Sequence, residues 1–358
     1  MHTIPANRPA ALGIVGLGSW GEQMAMAAET IPDVHIAACY SRTPQTREDF
    51  ARRFGCEASH SYENMLESRE LDGILVMTPN LAHQDQVLAA AACGKHVLVD
   101  KPISVSLEAG LDMVQACEQA GVVLAVGHQT RREAPLRQLK SLLLSGALGA
   151  PVLVEGNYSH DGGLHLDENQ WRWSRQECPG GPLIQIGIHL VDTLQYLFGQ
   201  ITRVTSWQRR LAVAADIDDV TCTLLEFGSG LIGYLGSTYA SRFSHWLTVY
   251  ATHQNAHYDQ FTGLILTHDT WSTGPARDQV SGPAKVTPPV PTLQEQLAEF
   301  VHCMRTGERP EVDGTQALRA TAVVLAAVES AKTGGPVVVE EMLARAQQRA
   351  SSHRPTVA

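Results

Sequence analysis

Along the first third of the chain, apolar residues arrive in short solid runs. ALGIVG (11–16), VHIAACY (34–40), DGILVMT (72–78), KHVLVD (95–100) and VVLAV (122–126) are of this kind. Each has the length of a strand and little polar alternation, the signature of a strand covered on both faces. Between them lie EQMAMAAETI, QTREDFARRF (45–54), LAHQDQVLAAAACG (81–94) and SLEAGLDMVQACEQA (106–120), which carry helical spacing. Strands alternating with helices predict βαβ units and a parallel sheet.

Farther on the rhythm changes. VLVEGNY (152–158), RVTSWQR (203–209), DVTCTLLEF (219–227), GLIGYLGSTYA (230–240) and HWLTVYAT (245–252) read as strands. Polar and apolar residues alternate most clearly in TCTLLEF and LTVYAT, as in a sheet half-buried against helices. The stretch 273–292 is rich in Pro and Gly and predicts a long surface loop, followed by helices over 293–307 and 315–334 and a loose tail, RASSHRPTVA. No internal repeat is apparent.

A length of 358 residues favours two domains over one core. The formal net charge of −10 argues against nucleic acid or an anionic membrane as partner. The start, MHTIPANRPA, has no basic segment leading into an apolar core, and no run reaches the length of a membrane span. Seven cysteines without a CxxC pair suit a reducing compartment and give no zinc site, so the expectation is a cytoplasmic protein. HDGGLHLD (160–167) matches no defined ligand pattern and is read as a substrate-side loop, with no metal.

The chemistry begins at Gly16-Leu17-Gly18-Ser19-Trp20-Gly21, a G-x-G-x-x-G directly after the first predicted strand and at the start of a helix. Gly16 permits a tight turn, Gly18 lets backbone approach a pyrophosphate, and Gly21 allows close helix–strand packing. Ser19 and Trp20 open the helix, whose N-terminal N–H groups suit phosphate. This predicts dinucleotide binding. After the second strand stand Ser41-Arg42-Thr43, with the nearest acid, Asp33, before the strand. Arg42 suits a 2′-phosphate or the adenine, and Ser41 and Thr43 suit phosphate, which favours NADP over NAD.

HVLVDKPISV (96–105) raises a separate question, because a long cation stands at the mouth of a buried strand. With the glycine fingerprint, Thr78-Pro79-Asn80 with His83, and Asp100-Lys101-Pro102 in that order, the chain resembles the Gfo/Idh/MocA oxidoreductases over nearly its whole length. The resemblance implies an α/β protein: a Rossmann dinucleotide-binding domain over 1–130 and a C-terminal α/β domain over 131–358. The second domain would carry a large, mostly antiparallel open sheet, with the last helices packing back on the first domain. The family motif is usually Glu-Lys-Pro; here the acid is the shorter Asp100. By this likeness Lys101 lies beside the nicotinamide and can stabilise charge developing on the substrate oxygen. Thr78, Pro79, Asn80, His83 and Asp100 would border the cofactor.

WRWSRQECPGGPLIQIGIHLVDTLQYLFG (171–199) predicts an apolar helix with Gln185, His189 and Asp192 on one face. His189 matches the family's catalytic histidine and can take a hydroxyl proton near neutral pH. Many relatives carry Asp where this chain has Gln185, an amide that can hydrogen-bond a hydroxyl but cannot act as base. Proton transfer would therefore rest on His189 and Lys101, and Asp192 is read as structural. Trp171 and Arg172 would approach the substrate, and Gln129 and Arg131 would lie near the nicotinamide. The expected activity is hydride transfer between NAD(P) and a secondary alcohol or ketone of a sugar, polyol or related cyclic compound. The alternatives are a redox-neutral glycosidase and a non-enzymatic ligand sensor. The family likeness also implies a homodimer or homotetramer.

Overall fold

In the computed structural model, residues 3–5, 7–267, 280–281 and 291–352 are described. The chain divides into two compact units, one comprising Met1–Gln129, Pro291–Thr321 and Ala346–Ala358, the other Thr130–Val290 and Ala322–Arg345.

The apolar runs of the first unit form strands β1 (Ala10–Val15), β2 (Val34–Tyr40), β3 (Glu57–Ala58), β4 (Gly73–Val76), β5 (His96–Val99) and β6 (Leu124–Val126). They pair in the order β3-β2-β1-β4-β5-β6, every pair parallel. Helices α1 (Ser19–Glu29), α2 (Pro44–Phe54), α3 (Tyr62–Glu67), α4 (His83–Ala92) and α5 (Leu107–Ala120) connect them. Local chemistry sets several ends. Ser61 and Ser106 cap α3 and α5 by accepting from the backbone N–H three residues on, and Gly55 and Gly121 end α2 and α5 in the left-handed region. Leu12, Ile14, Leu75 and Leu98 share a core with Met24 and with Leu297, Phe300 and Met304 of the helix Thr292–Thr306. The strand order reverses between β1 and β4, which opens a crevice at their carboxyl ends.

In the second unit, α6 (Ala134–Leu144) and α7 (Ile188–Phe198) accompany a nine-stranded sheet. Its strands are β7 (Pro151–Ser159), β8 (Ile201–Arg209), β9 (Val220–Phe227), β10 (Ile232–Thr238), β11 (Ser244–Ala251), β12 (Asn255–Asp259), β13 (Gly263–Thr267), β14 (Val280–Ser281) and β15 (Val337–Val338). The order is β14-β13-β12-β11-β7-β10-β9-β8-β15, and only β7 and β10 run parallel. Burial alternates along β9 and β11, so one face of the sheet is covered. At Gly156 on β7 a Cβ would lie 3.4 Å from Leu190 of α7, which is how closely that helix approaches the sheet.

Two local expectations change. The apolar helix after Gly180-Gly181-Pro182 does not begin as an α-helix: Leu183–Gly187 form a π turn that continues into α7. Gln185 therefore lies inside the π turn, whereas His189 and Asp192 lie on the α-helical part that follows. The tail reading also gives way in part, because 349–352 belong to the helix Val339–Ser352, while 353–358 lie outside the described residues. The predicted surface loop at 273–292 likewise falls mostly outside them. Among the described residues, no helix is long and apolar enough to cross a membrane.

Candidate active site

The nucleotide end of the site is built from glycines at the switch point. Gly16 has φ +89°, and a Cβ there would run into the Met77 carbonyl at the exit of β4. Gly21 packs so tightly that a Cβ would collide with the Gly16 carbonyl oxygen. Gly18 differs. It is exposed, and a Cβ on it would meet nothing within 4 Å. It is also the N-cap of α1, with no side chain capping the helix. The first-turn N–H groups, including those of Ser19 and Trp20, are therefore available to an anion. An open backbone cradle at a helix N-terminus fits the pyrophosphate of a dinucleotide.

At the end of β2, Arg42 and Thr43 are exposed and Ser41 is half-buried. Arg47 of α2, which the sequence reading passed over, donates to the Ser41 carbonyl at 3.3 Å and to that of His60 at 3.4 Å. Asp33 is engaged elsewhere, with Arg305 at 2.9 Å.

The half-buried Lys101 stands in a segment clamped from several sides. The Asp100 N–H donates to the Val76 carbonyl at 2.9 Å, and Gly127 N–H to that of Val99 at 2.8 Å. Gly127 is needed close by, since a Cβ there would lie 3.0 Å from Asp100 Oδ1. The Lys101–Pro102 peptide is cis. His83 is fully buried, with Nδ1 2.9 Å from the Pro102 carbonyl and Nε2 3.0 Å from that of Thr78. Burial holds its pKa below the ordinary histidine value, opposed by Asp100 and by these carbonyl oxygens. His83 thus braces the segment after β4 against the segment after β5. Thr78 donates to Gln86 Oε1 at 2.6 Å, Pro79 is half-buried and Asn80 buried. Gln129 is half-buried in the short turn Gln129–Arg132.

In the second unit, Gln185, His189 and Asp192 are all buried. Gln185 Nε2 lies 3.1 Å from Cys178 Sγ, while its Oε1 accepts from Arg172 Nε at 3.4 Å. The exposed Arg172 guanidinium lies 4.1 Å above the half-buried Trp171 ring. Arg131 is buried and forked onto Asp192, with Nε to Oδ2 at 2.7 Å and Nη2 to Oδ1 at 2.5 Å. It also lies over the Tyr196 ring at 5.1 Å.

His189 borders an aromatic group. Its ring is 6.1 Å from that of Tyr158, which stacks on His245 at 4.2 Å. His245 Nδ1 is 3.0 Å from Gln260 Oε1, and burial drives its pKa down to about 4, so it is neutral at pH 7. The Tyr158 hydroxyl is held protonated by burial and by nearby Glu133, and Tyr258 donates a short bond to Glu133. Neither Tyr158 nor His245 carries a sequence motif; only sheet register brings them together, with His245 opposite Tyr158 in the β11–β7 pair.

HDGGLHLD contributes a short turn, Gly162–His165, and His160 just before it accepts at Nδ1 from Gly162 N–H at 2.9 Å. Among the described residues no cluster of three His, Cys, Asp or Glu is arranged to hold a metal ion.

Comparison with known proteins adds an independent line. The profile of an oxidoreductase family with an NAD-binding Rossmann fold matches 11–128, and that of the GFO/IDH/MocA C-terminal domain matches 136–257. The chain is 27% identical to 2,7-anhydro-N-acetylneuraminate hydratase of Escherichia coli K12, over 92% of this chain and 97% of that one. It is 26% identical to the NAD+-dependent scyllo-inositol 2-dehydrogenase of Bacillus subtilis, over 91% and 95%. The solved structure of aldose–aldose oxidoreductase from Caulobacter crescentus, complexed with glycerol, matches with a TM-score of 0.81 at 25% identity, over 92% and 100% of the two chains.

Proposed function

The chain belongs to the Gfo/Idh/MocA oxidoreductase family, and from that premise we propose that it moves hydride between NAD(P) and a secondary alcohol or ketone of a sugar, polyol or related cyclic compound. Its relatives include sugar and inositol dehydrogenases, oxidoreductases that act on CH–OH groups with NAD(P). The observation that carries the reading is the uncapped α1 N-terminus at Gly18, in a chain that also holds a braced lysine after β5 and a buried histidine on α7.

The bound dinucleotide supplies the carbon that accepts or gives hydride; the rest falls to the chain. Gly16, Gly18, Ser19, Trp20 and Gly21 hold the pyrophosphate, and Thr78, Pro79 and Asn80 line the nucleotide. His83 acts behind them as a brace. Lys101 donates to the reacting oxygen and stabilises its charge, with Asp100 shaping the lysine's surroundings. His189 takes or returns the hydroxyl proton. Gln185, Arg172, Trp171 and Gln129 orient the substrate, and Arg131 fixes α7 through Asp192. Arg42, with Ser41 and Thr43, favours the 2′-phosphate of NADP. A homodimer or homotetramer acting in the cytoplasm belongs to the same reading. The similarity to a hydratase supports a second reading, a net redox-neutral conversion of a cyclic sugar derivative with the cofactor regenerated on the enzyme.

The test is an absorbance assay for reduced nicotinamide with NAD and NADP separately, across sugars, inositols and cyclic diols. Lys101→Ala and His189→Ala are each expected to lower kcat by about 10²–10⁴-fold. Arg42→Ala should raise KM for NADP more than for NAD. Activity surviving both catalytic substitutions would overturn the assignment, whereas turnover without net cofactor reduction would select the redox-neutral reading.

A further inference from the structure

His189 stands at one end of a file of rings that continues outward through the second unit. From His189 the file passes to Tyr158 at 6.1 Å, from Tyr158 to Phe243 at 6.2 Å, and from Phe243 to Phe261 at 5.3 Å. Each step lies in the contact range of aromatic pairs. Burial falls along the file: His189 is buried and Tyr158 half-buried, whereas Phe243 is 43% and Phe261 78% exposed.

The turn that carries Phe261 is held in place. Asp259 Oδ1 accepts from Phe261 N–H at 2.9 Å and from Thr262 N–H at 3.1 Å, which sets the turn between β12 and β13. That turn is tied to β11 by Gln260, whose N–H donates to the His245 carbonyl at 3.0 Å and whose Oε1 lies 3.0 Å from His245 Nδ1. His245 in turn stacks on Tyr158. Carried on this ordered turn, the exposed Phe261 ring with Phe243 5.3 Å away forms an apolar contact surface. Next to Phe243 in the chain, Arg242 lies 3.7 Å from Asp161, a polar pair suited to hydroxyls.

We propose that Tyr158, Phe243 and Phe261 form a distal subsite for the second ring of a two-ring substrate, a glycoside or disaccharide whose reacting ring lies at His189. The inference rests on the proposed sugar or polyol oxidoreductase activity and narrows its substrate class. Aromatic faces take the apolar C–H face of a sugar or an aryl aglycone, and continuity with His189 gives the occupant its direction.

The experiment compares phenyl β-glycosides and disaccharides with the matched methyl glycosides, on the wild type and on Phe243→Ala/Phe261→Ala. Wild-type KM is expected to be about tenfold lower for the two-ring compounds, a difference that the double variant abolishes. Equal KM values in the wild type, or a preference unchanged in the variant, would overturn the proposal. So would a lower assembly mass of the double variant by light scattering, which would make the patch a contact between copies. Saturation-transfer NMR of the phenyl glycosides with the dinucleotide-bound protein needs no turnover. Second-ring saturation lost in the variant supports the subsite even if no compound is oxidised, in which case the redox reading falls and the subsite stands. Turnover of methyl glycosides without second-ring saturation leaves the redox reading intact and removes the subsite.

Discussion

At the residue scale, three glycines of one fingerprint do three separable jobs. Gly16 and Gly21 are required by packing, because a Cβ on either would meet backbone carbonyl oxygen, whereas Gly18 has open space around it. Gly21→Ala is therefore expected to destabilise the fold by about 1–3 kcal/mol, the range for forcing atoms into a packed core. Gly18→Ala should melt within a degree or two of the wild type yet lose about tenfold or more in dinucleotide affinity, since only a ligand needs its empty space. Thermal melts paired with fluorescence titration of NADPH separate the two. The spacing of the glycines was legible in the chain, but which of them serves packing and which is open was not. That distinction depends on the exit of β4 lying against Gly16, a contact made by residues about sixty positions later.

At the element scale, periodic runs were the readable part. Strands β1, β2, β4, β5 and β6 with helices α1, α2, α4 and α5 of the first unit, and β7 to β11 of the second, were visible because burial on one or both faces imposes a period. α3 and β3 were not, since six and two residues are too few to show one. The π turn at Leu183–Gly187 was hidden for another reason. Gly187 packs against Ser237 of β10, where a Cβ would lie 2.5 Å from the hydroxyl, so the turn answers a tertiary contact. Asp219 shows how much an unremarked residue can hold. Its carboxylate accepts from the N–H of Leu211 at 3.0 Å, of Ala212 at 2.6 Å and of Val213 at 2.8 Å, closing the loop between β8 and β9. Asp219→Ala is expected to cost about 1–3 kcal/mol, because the buried Val213 N–H and two part-buried ones lose a charged acceptor. Hydrogen exchange at 211–213 should quicken well before that of the β9 core.

At the scale of the whole molecule, buried neutral histidine ties stability to pH. His245 has its pKa pushed down to about 4 from an ordinary 6.5 by burial. The unfolded chain takes up the proton first, so stability is full above about pH 6.5 and falls as pH drops toward 4. Below that the folded protein is protonated as well and the loss levels off. The contribution is on the order of 3 kcal/mol. His83, also depressed by burial, acts in the same direction. Urea unfolding at pH 7 and pH 4.5 should show the drop, and His245→Phe should reduce it. An unchanged pH dependence in that variant would place the acid sensitivity elsewhere.

By itself the sequence determined the fold class, the dinucleotide fingerprint and the family, because periodicity, turn chemistry and motif order are local properties written along the chain. It also made Lys101 and His189 conspicuous as residue types in unusual surroundings. The tertiary structure alone decided their company. His83 reaches Pro102 19 residues away, Arg131 reaches Asp192 61 residues away, and Tyr258 reaches Glu133 125 residues away. Each partner is chosen by strand order and register rather than by spacing. The file of rings leading from His189 is of the same kind, since its members come from α7, β7, the approach to β11 and the β12–β13 turn. A buried polar or aromatic side chain must find its partner wherever the sheet places one, and that requirement leaves no periodic mark on the residues that meet it.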